Sequence, residues 1–569
     1  MTSPLPLPKC AGVRAALVRV WPALVLAVCV YLPWLGSPLF LDDWHLLWMA
    51  SQADWSWSGL VHSFTFLDPG SIVTWNLPAG PAYHYFRPLV VALLKVEYAV
   101  FGTAPWGYHM VSLVLHLVSV VLVGLLTIGV TGSERVGRLA ALLFALQPHN
   151  VASVNWTAGQ TEALGAPLML AALVSYVAAR RGGFLLHGWT LMFTALACLT
   201  KENAVLVGAY AGVLELTLLV LGPEGWREWL KRAVPGLGAL AVLLGGFLVY
   251  RFFVFDSGGG LIEPYFTSPA ADGFVLFAAA KMVHYLGALI TTAPIVPLFG
   301  TQFIAEHPLA LASGGVVGVS FLVLLGRKVV DPRTLWLGLG WLAVTFLPTL
   351  PILASDLYPY FAGVGYALLL AGALAREGRV ARVLLVSLVA LYLVSTTGRG
   401  LLYHVQGVAD RTAAEDIEAD NGGPLDESAT LLFVNMPVAV SHVTSNLRLR
   451  SGNPDIVGVL VTLTPEWALP EAGPEVQCLG PAHVRIGPPP GHDRLFETPE
   501  EWNVHLYREP LVQGKRYETD HGFDAEPLWD GDGVVALDLR FDSSLSGSGV
   551  HIISYYLADD GRLAHRMCP

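Results

Sequence analysis

Long apolar runs separated by short polar connections fill roughly the first 400 residues. They recur near residues 15–36, 107–130, 136–148, 160–179, 184–200, 203–221, 235–254, 308–326, 334–351, 359–375 and 380–397. A bilayer crossing takes about 20 apolar residues, so this pattern predicts about eleven transmembrane helices, with the 136–148 run the shortest. The first run follows Lys9, Arg14 and Arg19. A cleaved leader is one reading of it, but its length and the spans behind it favour an uncleaved first helix. Two apolar segments fit less simply. Pro88 to Gly102 is interrupted by Lys95 and Glu97 and suits an interfacial helix. Segment 274–299 would break the alternation of sides by crossing once, so surface or re-entrant helices are expected there.

Basic residues set the orientation. Arg135 with Arg138, Arg180 with Arg181, Arg227 with Lys231 and Arg232, Arg327 with Lys328 and Arg333, and Arg376 with Arg379 and Arg382 occupy alternate connections. The positive-inside rule assigns these loops and the basic N-terminus to the cytoplasm. The first outer loop then carries Asp42 and Asp43, with Trp44, Trp48, Trp55 and Trp57 as headgroup anchors. An odd number of crossings puts the chain after Tyr403 outside as well. There the pattern changes to strand-like runs such as "TLLFVNMPVAV", "IVGVLVTLT", "GVVALDLRF" and "HIISYYLA". The expected fold is a mainly α membrane protein. A transmembrane domain over residues 1–402, with interfacial helices in its first outer loop, precedes a small, mainly β extracytoplasmic domain over 403–569.

Composition supports this. The 569 residues are 54% hydrophobic and 14% charged, and mean hydropathy is +0.56, which excludes an ordinary soluble protein. The net charge of -11 and the lack of any basic block point away from nucleic acid. Cys478 and Cys568 fall in the outer region, as a disulfide or as two thiols. No cysteine or histidine spacing suggests zinc. Trp467, Trp502 and Trp529 could stack on a sugar, although a spacer or folding module is the plainer role for their domain.

Candidate chemistry gathers on the expected outer loops and outer helix ends. It comprises Asp42 and Asp43, Arg87, His109, His149 and Asn150, Lys201 and Glu202, and Asp356, Tyr358 and Tyr360. Each has a plain alternative. The Asp pair could cap a helix starting at Trp44. Lys201 and Glu202 could form an ion-paired turn. Arg87 could reach headgroups, His109 could be a packing residue, and the tyrosines could belong to an aromatic belt. Taken jointly, a carboxylate at the membrane boundary near Arg and Lys suits attack on a lipid-linked sugar. The carboxylate takes the proton of an acceptor hydroxyl, and the cations stabilise the departing phosphate. A divalent metal bridging carboxylate and phosphate fits this chemistry, although no ligand cluster demands one.

The motif order "YFRPLVVALLKVEYAVFGTAPWGYHMVSLVLH", "AALLFALQPHNVASVNWTAGQTEALGA" and "LACLTKENAV" resembles the membrane region of the C-type (GT-C) glycosyltransferase superfamily. The likeness is to protein O-mannosyltransferase-like proteins, which often carry tetratricopeptide repeats, and it runs from about Asp42 to Gly365. It implies sugar transfer from a polyprenyl-phosphate carrier, with Asp42 or Asp43 as base, Lys201 facing phosphate and Arg87 shaping a substrate entrance. Departures are visible. Relatives show His-Pro-x-His-x-Glu where this chain has Gln147, Asn150 and Ala152. They show Gly-Arg-x-Asp where it has Gly159-Gln160-Thr161-Glu162, and Glu-Arg-Tyr-x-Tyr where it has Asp356-Leu357-Tyr358-Pro359-Tyr360.

The expected function is therefore an inverting glycosyltransferase of the bacterial inner membrane, N-terminus cytoplasmic and C-terminal domain periplasmic or extracellular. Its partners would be a polyprenyl-phosphate sugar donor, membrane lipid, and a protein, lipid or glycan acceptor. Alternatives are a transporter or flippase of lipid-linked saccharides, which should carry ionisable groups in mid-membrane, or an inactive glycan-binding relative.

Overall fold

The structure is a computed structural model. It describes residues 13–66, 73–74, 83–180, 184–222, 225–257, 266–295, 308–329, 331–352, 354–425, 429–434, 436–437, 443–461, 463–464, 474–488, 491, 493–495, 511–519, 522–531, 533–542, 545, 550–557 and 563–568. The chain forms two compact units. One comprises Met1–Ser37, Phe86–Asp256 and Tyr265–Tyr403, and the other Pro38–Tyr85, Ser257–Pro264 and His404–Pro569. Residues 38–85 lie in the same unit as the C-terminal region.

The first unit is built of helices. Six helices among the described residues are long and apolar enough to cross a bilayer: Pro105–Thr131, Thr157–Ala179, Glu202–Leu221, Trp226–Val254, Phe274–Thr291 and Arg379–Asp420. Shorter apolar helices cover Val18–Trp34, Leu186–Cys198 and Pro359–Leu374. This is an integral, multi-pass arrangement. Segment 274–299, expected as surface or re-entrant helices, carries a continuous 18-residue helix over Phe274–Thr291. The interfacial candidate forms a 14-residue helix, Pro88–Phe101, too short to cross. Glycines allow close crossings. Gly338 and Gly365 face each other between helices Pro332–Phe346 and Pro359–Leu374. A Cβ on either would sit 3.1 or 3.0 Å from the other's carbonyl. Small residues at such crossings let dispersion and close packing hold helices together where lipid weakens the hydrophobic drive.

The second unit contains two five-stranded sheets. One orders its strands as Leu563–Cys568, Val550–Leu557, Thr430–Val434, Val457–Leu460 and Val73–Thr74. Its first pair is antiparallel and the remaining pairs are parallel. The other is antiparallel, ordered Tyr517–Glu518, Phe523–Asp530, Gly533–Phe541, His483–Ile486 and Val476–Gly480. Alternation along one strand fixes the layers. Leu432 and Val434 pack with Val484, Ile486 and Leu537 between the sheets. Leu431 and Phe433 pack with Ala414, Ile417 and Leu447 from helices Arg379–Asp420 and Val443–Ser451. The region expected to be mainly β is thus layered helix, mixed sheet, antiparallel sheet. Trp467 and Trp502 lie outside the described residues, whereas Trp529 packs partly buried on the inter-sheet core. Cys478 is an exposed free thiol.

Candidate functional site

The acidic pair belongs to the second unit and begins helix Asp42–Gln52. The helix is entered through Leu41 at φ 50°, ψ −131°, a left-handed backbone that a branched side chain rarely adopts. Asp43 has 0% exposure, and its Oδ2 accepts the Phe40 N–H at 3.3 Å. That reach back over the first turn satisfies an otherwise orphaned donor. Asp42 is only half-buried. Burial pushes its carboxyl up to about 6, with the nearby His45 ring pulling the other way. His45 is buried, and its Nε2 donates to the Thr65 carbonyl at 2.8 Å. Asp43 therefore serves the turn, while Asp42 is a partly accessible carboxylate poised near neutrality.

The other candidates belong to the first unit. Lys201 and Glu202 separate after the turn that ends helix Phe184–Cys198. Lys201 Nζ sits 2.5 Å from Glu162 Oε1 and 5.3 Å from the Tyr358 ring centroid. Asn203 Nδ2 donates to the other Glu162 oxygen at 3.1 Å. Glu202 Oε2 accepts from Arg87 Nη2 at 3.2 Å, and Lys201 and Arg251 are close enough to act on its charge. Three cations thus surround Glu202, which keeps a partly exposed side chain at 35%. Arg87 is accordingly ion-paired at the start of helix Pro88–Phe101.

A second cluster centres on Asp356. Its Oδ2 accepts from Arg399 Nη1 at 2.7 Å. Its Oδ1 accepts the Ile295 N–H at 2.9 Å and faces His149 Nδ1 at 3.3 Å. Burial works to raise this carboxyl, but the His149 hydrogen bond, the His149 and Arg399 charges and the Ile295 amide outweigh it and hold it below the usual range. His149 Nε2 donates to Ala288 O at 3.0 Å, so both ring nitrogens are engaged.

Three further candidates are fully buried. His109 Nδ1 donates to Leu35 O at 3.1 Å. Asn150 Nδ2 donates to Phe144 O at 2.5 Å. The Tyr360 hydroxyl meets His116 Nδ1 at 2.9 Å. These contacts are those of packing residues. Among the described residues no group of three His, Cys, Asp or Glu is placed to hold a metal ion.

Sequence reasoning did not place Glu162, Gln160, Glu97, Arg399 or Asp410 among the candidate residues. Glu162 stands at the acidic end of "GQTE" and takes Lys201. Gln160, where relatives show Arg, donates to Glu97 at 2.9 Å. Glu97 is buried, which pushes its carboxyl up to about 8 although Gln160 works the other way. Arg399 and Asp410 lie in the long helix Arg379–Asp420, far along the chain from Asp356 and Asp42. The one usable signal was a charge interrupting an otherwise apolar run, which needs a partner.

Comparison with known proteins bears out the resemblance read from the motifs. Residues 84–250 match the family model described as dolichyl-phosphate-mannose-protein mannosyltransferase. That stretch holds Arg87, His109, His149, Asn150, Lys201 and Glu202. The human protein O-mannosyl-transferase TMTC4 is 26% identical over 385 residues, covering 56% of this chain and 51% of the relative. Drosophila melanogaster protein O-mannosyl-transferase Tmtc3 is 25% identical, covering 52% and 40%. The chain spans about half the length of the curated relatives it matches. Among solved structures, ArnT from Cupriavidus metallidurans bound to undecaprenyl phosphate aligns at TM-score 0.45 and 14% identity, over 92% of this chain and 98% of that one. Archaeoglobus fulgidus AglB, in complex with an inhibitory peptide and a dolichol-phosphate, aligns at TM-score 0.45 and 14% identity, over 78% and 64%.

Proposed function

We propose that this protein O-mannosyltransferase-like chain moves a sugar from a polyprenyl-phosphate carrier to an acceptor hydroxyl on the outer face of the membrane, with Asp42 as base. The observation that carries the reading is the contrast within the acidic pair. Asp43 is spent on its own helix start, whereas Asp42 is half-buried, on a strained turn, with its carboxyl pushed up to about 6. A base is most effective when its pKa lies near the working pH. Asp42 takes the acceptor proton as the acceptor oxygen bonds to the anomeric carbon. The bond from that carbon to the phosphate oxygen breaks, and the sugar inverts. The phosphate leaves with its charge, which suits the cations Arg87, Lys201 and Arg251 gathered around Glu202.

The basic-loop alternation supports a cytoplasmic N-terminus and puts the Asp42 loop and the Lys201 turn on the same, outer side. The names of the curated relatives make mannose the first sugar to try and a protein hydroxyl the first acceptor. Asp42 is then the candidate base of the second unit, and Arg87, Lys201 and Glu202, with Tyr358 against Lys201, are the candidate phosphate-binding residues of the first. The test is a screen of polyprenyl-phosphate sugars, one by one, with purified protein in lipid nanodiscs. One donor should support transfer, and Asp42→Asn should lower kcat about 10²–10⁴-fold. Wild-type transfer by Asp42→Asn would overturn the assignment. Movement of a lipid-linked saccharide across the bilayer that survives this change would indicate a transporter.

A further inference from the structure

The turn that leads into Asp42 is held from far along the chain. Leu41 occupies φ 50°, ψ −131°, which glycine adopts freely and leucine does not. Such a conformation persists only where the surroundings over-determine it. Two carboxylates do so here. Asp43 Oδ2 accepts the Phe40 N–H at 3.3 Å. Asp410 Oδ2 accepts the Leu41 N–H at 2.9 Å, across 369 residues. Asp410, like Asp43, has 0% exposure.

Asp410 is itself held. Asn446, buried on helix Val443–Ser451, stands beside its side chain, and this helix packs on helix Asp42–Gln52. One turn before Asp410, the Pro38 carbonyl occupies the place a Cβ on Gly407 would take. Residues 407–410 therefore lie flush against residues 38–41. A buried carboxylate is costly unless its oxygens are used. Asp410 uses one on the single backbone amide preceding Asp42.

We propose that Asp410 is a positioning residue for the transfer reaction: by accepting the Leu41 N–H it fixes the strained turn that aims the Asp42 carboxylate. This rests on the reading of Asp42 as base. Asp410 touches no substrate. It acts through the Leu41–Asp42 backbone, where a displacement of about 1 Å at the reacting group can cost about 10²-fold in rate.

The test uses the full chain in nanodiscs with polyprenyl-phosphomannose as donor, or whichever polyprenyl-phosphate sugar the screen selects. Asp410→Ala should lower kcat about 10²-fold with donor KM within about twofold. Asp410→Asn keeps an oxygen for the Leu41 N–H and should stay near wild type. Asp410→Glu keeps the carboxyl group but moves the acceptor by a methylene, and should fall below Asp410→Asn. A role through charge alone reverses that order and overturns the proposal, and does so even if Asp410→Ala fails to fold. Leu41→Gly, which relieves the strain, should restore part of the activity lost in Asp410→Ala, and no restoration counts against the proposal. Amide exchange at Leu41, read without any donor, should quicken in Asp410→Ala and stay slow in Asp410→Asn. Loss of transfer in Asp42→Asn alongside full kcat in Asp410→Ala would overturn the positioning role alone. Full transfer in Asp42→Asn would remove the reading beneath it.

Discussion

At the scale of single residues, Asp42 makes two opposed predictions. As a base it must be ionised, and burial lifts its carboxyl from 3.8 to about 6. Below about pH 6, kcat/KM should therefore fall about tenfold per pH unit, read from a pH–rate profile. Stability runs the other way. The folded state holds this proton more tightly than the unfolded chain, so ionisation costs the fold. The cost is absent below pH 3.8, grows up to about 6 and is complete above. Asp42→Asn, besides losing activity, should raise Tm at about pH 7.5 and leave it unchanged near pH 3.5. Lys201 behaves differently. It is 8% exposed and paired with buried Glu162, so Lys201→Met strands a carboxylate and should cost about 3–5 kcal/mol. Lys201→Met with Glu162→Gln should recover much of it, measured by thermal unfolding in detergent. The acidic pair and the Lys-Glu doublet were legible from sequence because ionised groups beside apolar runs stand out. Their partners were not. Charge says that a partner is needed, but not which residue, 39 or 115 positions away, supplies it.

At the scale of elements, close approach decides. Gly159 joins the short helix Val151–Val154 to helix Gln160–Ala179, and the Ala152 carbonyl occupies the place of a Cβ there. Backbone cannot swing aside as a side-chain tip can, so Gly159→Ala should sharply reduce folded protein, read by size-exclusion chromatography. Gly363→Ala should be tolerated better, because what it meets is the Gln147 side-chain amide. Strand prediction succeeded at Thr430–Val434, and at Gly533–Phe541, whose run is apolar as far as Leu537. It missed His483–Ile486 and Phe523–Asp530, whose outward positions are charged and whose runs contain Arg485, Asp524 and Glu526. Arg485 and Asp538 are paired across neighbouring strands at 2.6 Å. Cross-strand pairing of that kind is invisible to a one-strand pattern.

At the scale of the molecule, residues 38–85 cannot be understood apart from the C-terminal region. Val73–Thr74 pairs in parallel with Val457–Leu460, helix Asp42–Gln52 packs on helix Val443–Ser451, and Leu41 bonds Asp410. A chain ending at Tyr403 should therefore reach the membrane yet show no transfer, tested in nanodiscs beside the full-length protein. Sequence pattern located the composition change near residue 403 but not the return of the early loop. A two-residue strand is too short to carry any periodicity.

The Leu41–Asp410 hydrogen bond also orders events during biosynthesis. Its ends are 369 residues apart. At ribosomal rates of about 5–20 residues per second, roughly 20–70 s pass between the emergence of the first and the second. Throughout that interval the nascent polypeptide has Asp42 but not the Asp410 oxygen that accepts the Leu41 N–H. Transfer by a nascent chain should thus stay about 10²-fold below that of the folded protein until Asp410 has emerged and packed against residues 38–41.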